Sequence, residues 1–88
     1  MNSMKFKVTS GPFKRFVHVE MLISELESLF GTLNVETHTD PGLFRIVVYV
    51  TIKRIGDGRG YPSKQEVEAW WKLTDKSGTL YKIERIDW

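Results

Sequence analysis

The chain has no cysteine, three prolines and two histidines among its 88 residues, and each scarcity removes a class of chemistry. Without thiols there is no disulfide, no thiolate zinc or iron–sulfur site and no cysteine nucleophile. A reducing compartment then suits the fold, and the expected location is the cytoplasm. No apolar run approaches the roughly 18 residues of a membrane span. Residues 1–13 contain no signal-peptide core, so a soluble, unexported protein is expected. No Gly-x-Ser-x-Gly elbow is present, and the serines fall at expected helix surfaces, caps or turns. His18 and His38 are far apart and have no cysteine partners, which makes no case for a metal centre. His38, between Glu36 and Asp40, reads as a surface histidine. No cofactor is expected, and nothing in this inventory points to catalysis.

What remains is an ordinary globular composition, 41% hydrophobic, 12% aromatic and 27% charged, in a chain of one-domain length (residues 1–88). The net charge is +2, and its arrangement matters more than its size. Lys5, Lys7, Lys14 and Arg15 precede the first acidic residue, then Glu20, Glu25, Glu27, Glu36 and Asp40 follow without a basic one among them. Carboxylates interleave with the later lysines, whereas a nucleic-acid footprint concentrates basic residues on one face.

Residues 5–9 alternate Lys5, Phe6, Lys7, Val8 and Thr9, a short strand with Phe6 and Val8 inward. Phe16, Val19, Leu22, Ile23, Leu26, Leu29 and Phe30 then recur at three- and four-residue steps, the apolar stripe of an amphipathic helix ended by Gly31. Its start is open, near Pro12 or as late as His18. Residues 33–39 read as a strand with Leu33, Val35 and Thr37 on one side, and Asp40-Pro41-Gly42 as a turn. Residues 43–53 form a long strand with Phe44, Ile46, Val48, Val50 and Ile52 on its inner face, opposite Arg45, Val47, Tyr49, Thr51 and Lys53.

Residues 63–78 admit two readings. Ser63-Lys64-Gln65-Glu66 has capping-box spacing, and a helix there gives the ferredoxin-like order βαββαβ. Against it, Val67, Ala69, Trp71 and Leu73 alternate with polar residues and Trp70 in a period of two, and Asp75-Lys76-Ser77-Gly78 suits a hairpin loop. The alternation is weighted above the capping box. The fold expected is α+β, one long helix on a curled four- to five-stranded antiparallel sheet in the order β-α-β-β-β-β. In the closing strand, Ile86 and Trp88 rejoin the apolar phase of Tyr81 and Ile83 only across a bulge near Arg85.

That order, with the closing run Tyr81-Lys82-Ile83-Glu84-Arg85-Ile86-Asp87-Trp88, resembles the cystatin-like fold group, which includes the ketosteroid-isomerase and nuclear-transport-factor-like domains. The resemblance is one of pattern and implies shape more than activity. The protease-inhibiting members carry a Gln-x-Val-x-Gly hairpin, and residues 37–42, THTDPG, do not match it. The isomerase-like members place a carboxylate inside a deep pocket, whereas the inward positions expected here hold no titratable group.

The candidate functional feature is Trp70-Trp71. On a strand the two rings point to opposite faces. Trp71 would join the core, and Trp70 would stand on the outer sheet face with Tyr49 and Val47, rimmed by Arg45 and Lys72. The expected function is a non-catalytic binding domain that uses this aromatic sheet face and forms a homodimer or meets a protein partner. Two alternatives stand beside it. A small apolar ligand could occupy a pocket between helix and sheet, lined by Phe16, Leu26, Phe44, Val48 and Trp71. A nucleic acid could bind through Lys5, Lys7, Arg45, Lys53 and Arg54 with Tyr49 or Trp70 stacking on bases.

Overall fold

A computed structural model describes residues 3–10, 16–42, 45–58, 60–75 and 81–87. Strand β1 (Met4–Ser10) buries Met4, Phe6, Val8 and Ser10, alternate residues on one face, as the pleat requires. Helix α1 (Phe16–Phe30) buries Val19, Leu22, Leu26 and Phe30, one stripe at helical spacing. Gly31 ends it with φ 92°, a backbone region costly for L side chains, and its N–H donates to the Glu27 carbonyl at 2.9 Å. A 3₁₀ turn (Thr32–Asn34) leads into β2 (Val35–Pro41), so Leu33 lies outside the strand expected to hold it and is exposed.

Strand β3 (Ile46–Ile52) buries Val48, Val50 and Ile52 and pairs antiparallel with β2, Val35 opposite Ile52 and Thr39 opposite Val48. The expected hairpin is therefore present. Its turn needs glycine at 42, where an added Cβ would sit 2.7 Å from the Arg45 carbonyl oxygen. Helix α2 (Lys64–Asp75) follows, then β4 (Lys82–Arg85). Among the described residues the sheet has four strands in the order β2-β3-β1-β4, and every neighbouring pair is antiparallel.

The α+β class holds, with two helices and an open four-stranded sheet in place of one helix and a hairpin. The element order is strand-helix-strand-strand-helix-strand, the βαββαβ alternative, and not β-α-β-β-β-β. The capping box decided residues 63–66: the Glu66 N–H donates to Ser63 Oγ at 3.1 Å. Gln, Glu, Ala, Lys and Leu also favour a helix over the strand suggested by the alternation. Val67 and Trp70 are buried and Trp71 half-buried, the i, i+3, i+4 spacing of a helix face. Ala69 and Leu73, inward on the alternating reading, are exposed.

The last strand needs no bulge. Phe6 lies opposite Arg85, Val8 opposite Ile83, and the Ile86 N–H donates to the Lys5 carbonyl at 2.9 Å. Arg85 is thus turned toward the helices and Ile86 stays partly exposed. Both helices share one core with the sheet, because Val19, Leu22, Leu26, Phe30, Val67 and Trp70 cluster with Phe6, Val8, Val48 and Val50. Among the described residues the other face of the sheet carries no helix. Among the described residues no helix is long and apolar enough to cross a membrane.

Candidate functional site

Trp70 is not on the outer sheet face. It is 6% exposed, with its ring edge-on to Phe6 at 5.4 Å and to Phe30 at 6.3 Å. Trp71 meets the same Phe6 ring at 6.2 Å. Neighbours on a helix are turned by only about 100°, so both indoles reach one layer, where a strand would have parted them. Lys72 is exposed on α2 and so belongs to the helix layer, away from Tyr49.

The open face keeps three of the expected contact residues. Register places Tyr49 between His38 of β2 and Lys7 of β1, and Val47 between Asp40 and Thr9. Tyr49 is 36% exposed and stacks on His38, centroids 6.4 Å apart. Arg45 is exposed just before β3. Charges of both signs alternate across this face: Lys53 lies 3.6 Å from Glu36, and Lys82 lies 3.8 Å from Glu84. Lys5 and Lys7 are on the open face, but Arg54 is turned to Tyr61, donating to its hydroxyl at 2.7 Å. Of the residues expected to hold a nucleic acid, Lys5, Lys7, Arg45, Lys53 and Tyr49 thus share the open face, interleaved with Glu36, Asp40 and Glu84, while Arg54 and the buried Trp70 lie off it.

Of the expected ligand pocket, Leu26 and Val48 are fully buried and packed in the shared core. Phe44 lies outside the described residues, as does the side chain of Phe16, whose backbone opens α1.

A groove of about 550 Å³, not among the expected sites, lies between the two helices. Phe30 and Trp70 form its floor, and Tyr81 closes one side. One wall is Glu25 and Leu29 of α1, the other Glu66, Ala69 and Leu73 of α2. Leu29 and Leu73 are 58% and 71% exposed, far more than the neighbouring core requires. Burial, and then the charge of Glu25, raises the Tyr81 phenol above its ordinary value. The signal for this groove lay in the βαββαβ alternative: on a helix, residues 66, 69, 70 and 73 share one flank.

A second hollow, about 350 Å³, lies against Arg85 at the other flank of α2. Its chemistry is already engaged. Arg85 Nε donates to Asp87 Oδ1 at 2.7 Å, and Nη1 donates to Glu68 Oε1 at 3.2 Å. Gly56, Gly58 and Gly60 lie in the connection before α2, a placement that glycine-rich phosphate loops share. Among the described residues nothing else of such a fingerprint accompanies them: Ser63 caps α2 internally and Arg54 stacks 5.4 Å over the Tyr61 ring. Among the described residues no three His, Asp or Glu side chains are placed to hold a metal ion. The chain matches no known protein family, no curated protein and no solved structure.

Proposed function

We propose that this protein is a small binding module whose working site is the groove between α1 and α2. The observation that carries the reading is the pair of leucines, Leu29 and Leu73, held exposed on facing walls above the aromatic floor of Phe30 and Trp70. Covering a leucine that stands mostly in water is worth about 1–2 kcal/mol. Soluble domains hold such apolar concavities chiefly where something binds. The volume lies in the range of ligand and peptide sites.

An uncharged naphthylamine dye, bright only in apolar surroundings, tests the site. Wild type is expected to bind it saturably, and the double variant Leu29→Ser/Leu73→Ser at least tenfold more weakly with an unchanged circular dichroism spectrum. Equal dye binding by the two proteins rejects the groove.

The open sheet face supports a second reading, a self-association or partner surface centred on Tyr49. The Tyr49–His38 stack favours it, since a flat aromatic pair between charged rims has the composition of an interface centre. Light scattering on wild type and Tyr49→Lys tests it: a dimer lost in the variant supports the face, and the same mass in both proteins removes it.

A further inference from the structure

We infer that the occupant of the groove is a short amphipathic helix bearing lysine or arginine, supplied by a partner protein. This rests on the groove being the binding site and adds the chemistry of what fills it. A helix laid between two helices presents apolar residues at i, i+3, i+4 and i+7 to the floor. α2 has twelve residues, about 18 Å of helix, so an occupant of about the same length spans the site.

Charge selects among occupants. Each wall carries one leucine and one glutamate, Leu29 with Glu25 and Leu73 with Glu66. Among the described residues no lysine or arginine lines the groove, and neither glutamate has a basic group within 4 Å. Carboxylates on both sides of an apolar floor attract a ligand with cations along its edges and repel an acidic one. A second copy of this chain, docked groove to groove, would bring Glu25 and Glu66 of both subunits together across a twofold axis, which counts against it. A small apolar molecule would fill the floor and leave both glutamates unanswered.

Calorimetric titration of the full chain with three synthetic 14-residue peptides tests this. One has leucines at helical spacing with lysines elsewhere, the second has glutamates in place of the lysines, and the third has alanines in place of the leucines. The leucine–lysine peptide is expected to bind at least tenfold tighter than either of the others. Its affinity should fall at least fivefold in Glu25→Gln/Glu66→Gln and at least tenfold in Leu29→Ser/Leu73→Ser. Added salt should weaken it several-fold. Equal binding of the lysine and glutamate peptides, both lost in Leu29→Ser/Leu73→Ser, overturns the basic occupant and keeps the groove. Lysine-peptide binding indifferent to both double variants removes the groove as well. No binding of any peptide, with the dye still bound, also overturns the basic helix. So does a concentration-dependent dimer in sedimentation that disappears in Leu29→Ser/Leu73→Ser, which would make a second copy the occupant.

Discussion

The two helices rest on the same side of one sheet and are fastened to it in different ways. α1 spreads its burial over Val19, Leu22, Leu26 and Phe30, with Ile23 packed at the edge. Among its described side chains α2 buries Val67 and Trp70, with Trp71 half-covered, and one indole meets both Phe6 and Phe30. A stripe of four side chains shares the load in α1, whereas α2 rests on Val67 and the large ring of Trp70 with Trp71 beside them. Because Val67, Trp70 and Trp71 turn one side of α2 to the core, the neighbouring flank lies outside it. Ala69 and Leu73 stay outside it and become a wall of the groove. The lesson is that an anchor of few, large residues leaves helix surface available for recognition.

The largest expected effect would break that contrast or establish it. Trp70→Ala should cost about 4 kcal/mol and Leu26→Ala about 3 kcal/mol by urea denaturation, since the larger truncation leaves the larger cavity. A greater loss at Leu26 would mean that α1 holds the domain and α2 merely leans on it.

Next comes the polar fastening of α2 to β4. Arg85, its side chain 10% exposed, bridges Glu68 of α2 and Asp87. Arg85→Met should cost about 2 kcal/mol at pH 7, because it leaves Asp87 without its cation and Glu68 with only the exposed Lys64, 4.0 Å away. Burial alone would raise the Asp87 carboxyl, but the hydrogen bond and charge of Arg85, with the backbone N–H groups of Asp87 and Lys5, hold it below the usual 3.8. The folded state therefore binds fewer protons at this group than the unfolded chain does. Its contribution is full above pH 4 and is lost as pH falls through the depressed value. The gap between wild type and Arg85→Met should accordingly narrow at pH 3.

The helix ends offer a smaller test. α1 is secured at its C-terminus by Gly31 and α2 at its N-terminus by Ser63. Gly31→Ala and Ser63→Ala should each cost about 1 kcal/mol, the first through a positive φ and the second through a lost cap. Smallest of all, Leu29→Ser and Leu73→Ser should each change stability by less than about 0.5 kcal/mol, because neither side chain is in the core. A loss of 2 kcal/mol at Leu73 would place it in the packing and remove it from the groove wall.

Where one period dominated, the residues could be read directly. Phe6 and Val8 alternate, residues 46–52 alternate, and the stripe of α1 repeats at three and four; each element appears close to where it was expected. Leu29 was the exception, assigned to the stripe but standing at its edge. Residues 64–75 carried two patterns at once, because 67 and 71 are inward on both a strand and a helix. Only Trp70, Ala69 and Leu73 distinguish them, and two adjacent indoles suit either. The strand reading sent one ring outward and produced a contact surface that does not exist around Trp70. The groove was only half legible: a helix over residues 64–75 puts 66, 69, 70 and 73 on one flank, but the cleft itself arises from the spacing of two helices over one sheet. The glutamates beside it looked like ordinary solvated charge.

The most direct measurement is a ¹⁵N NMR titration of the full chain with the leucine–lysine peptide. Backbone shifts should concentrate at Glu25, Leu29, Glu66, Ala69 and Leu73, while Lys7, His38 and Tyr49 on the open face stay in place. Shifts gathered around Tyr49 with the helix flanks silent would contradict the groove and move the binding surface to the other side of the sheet.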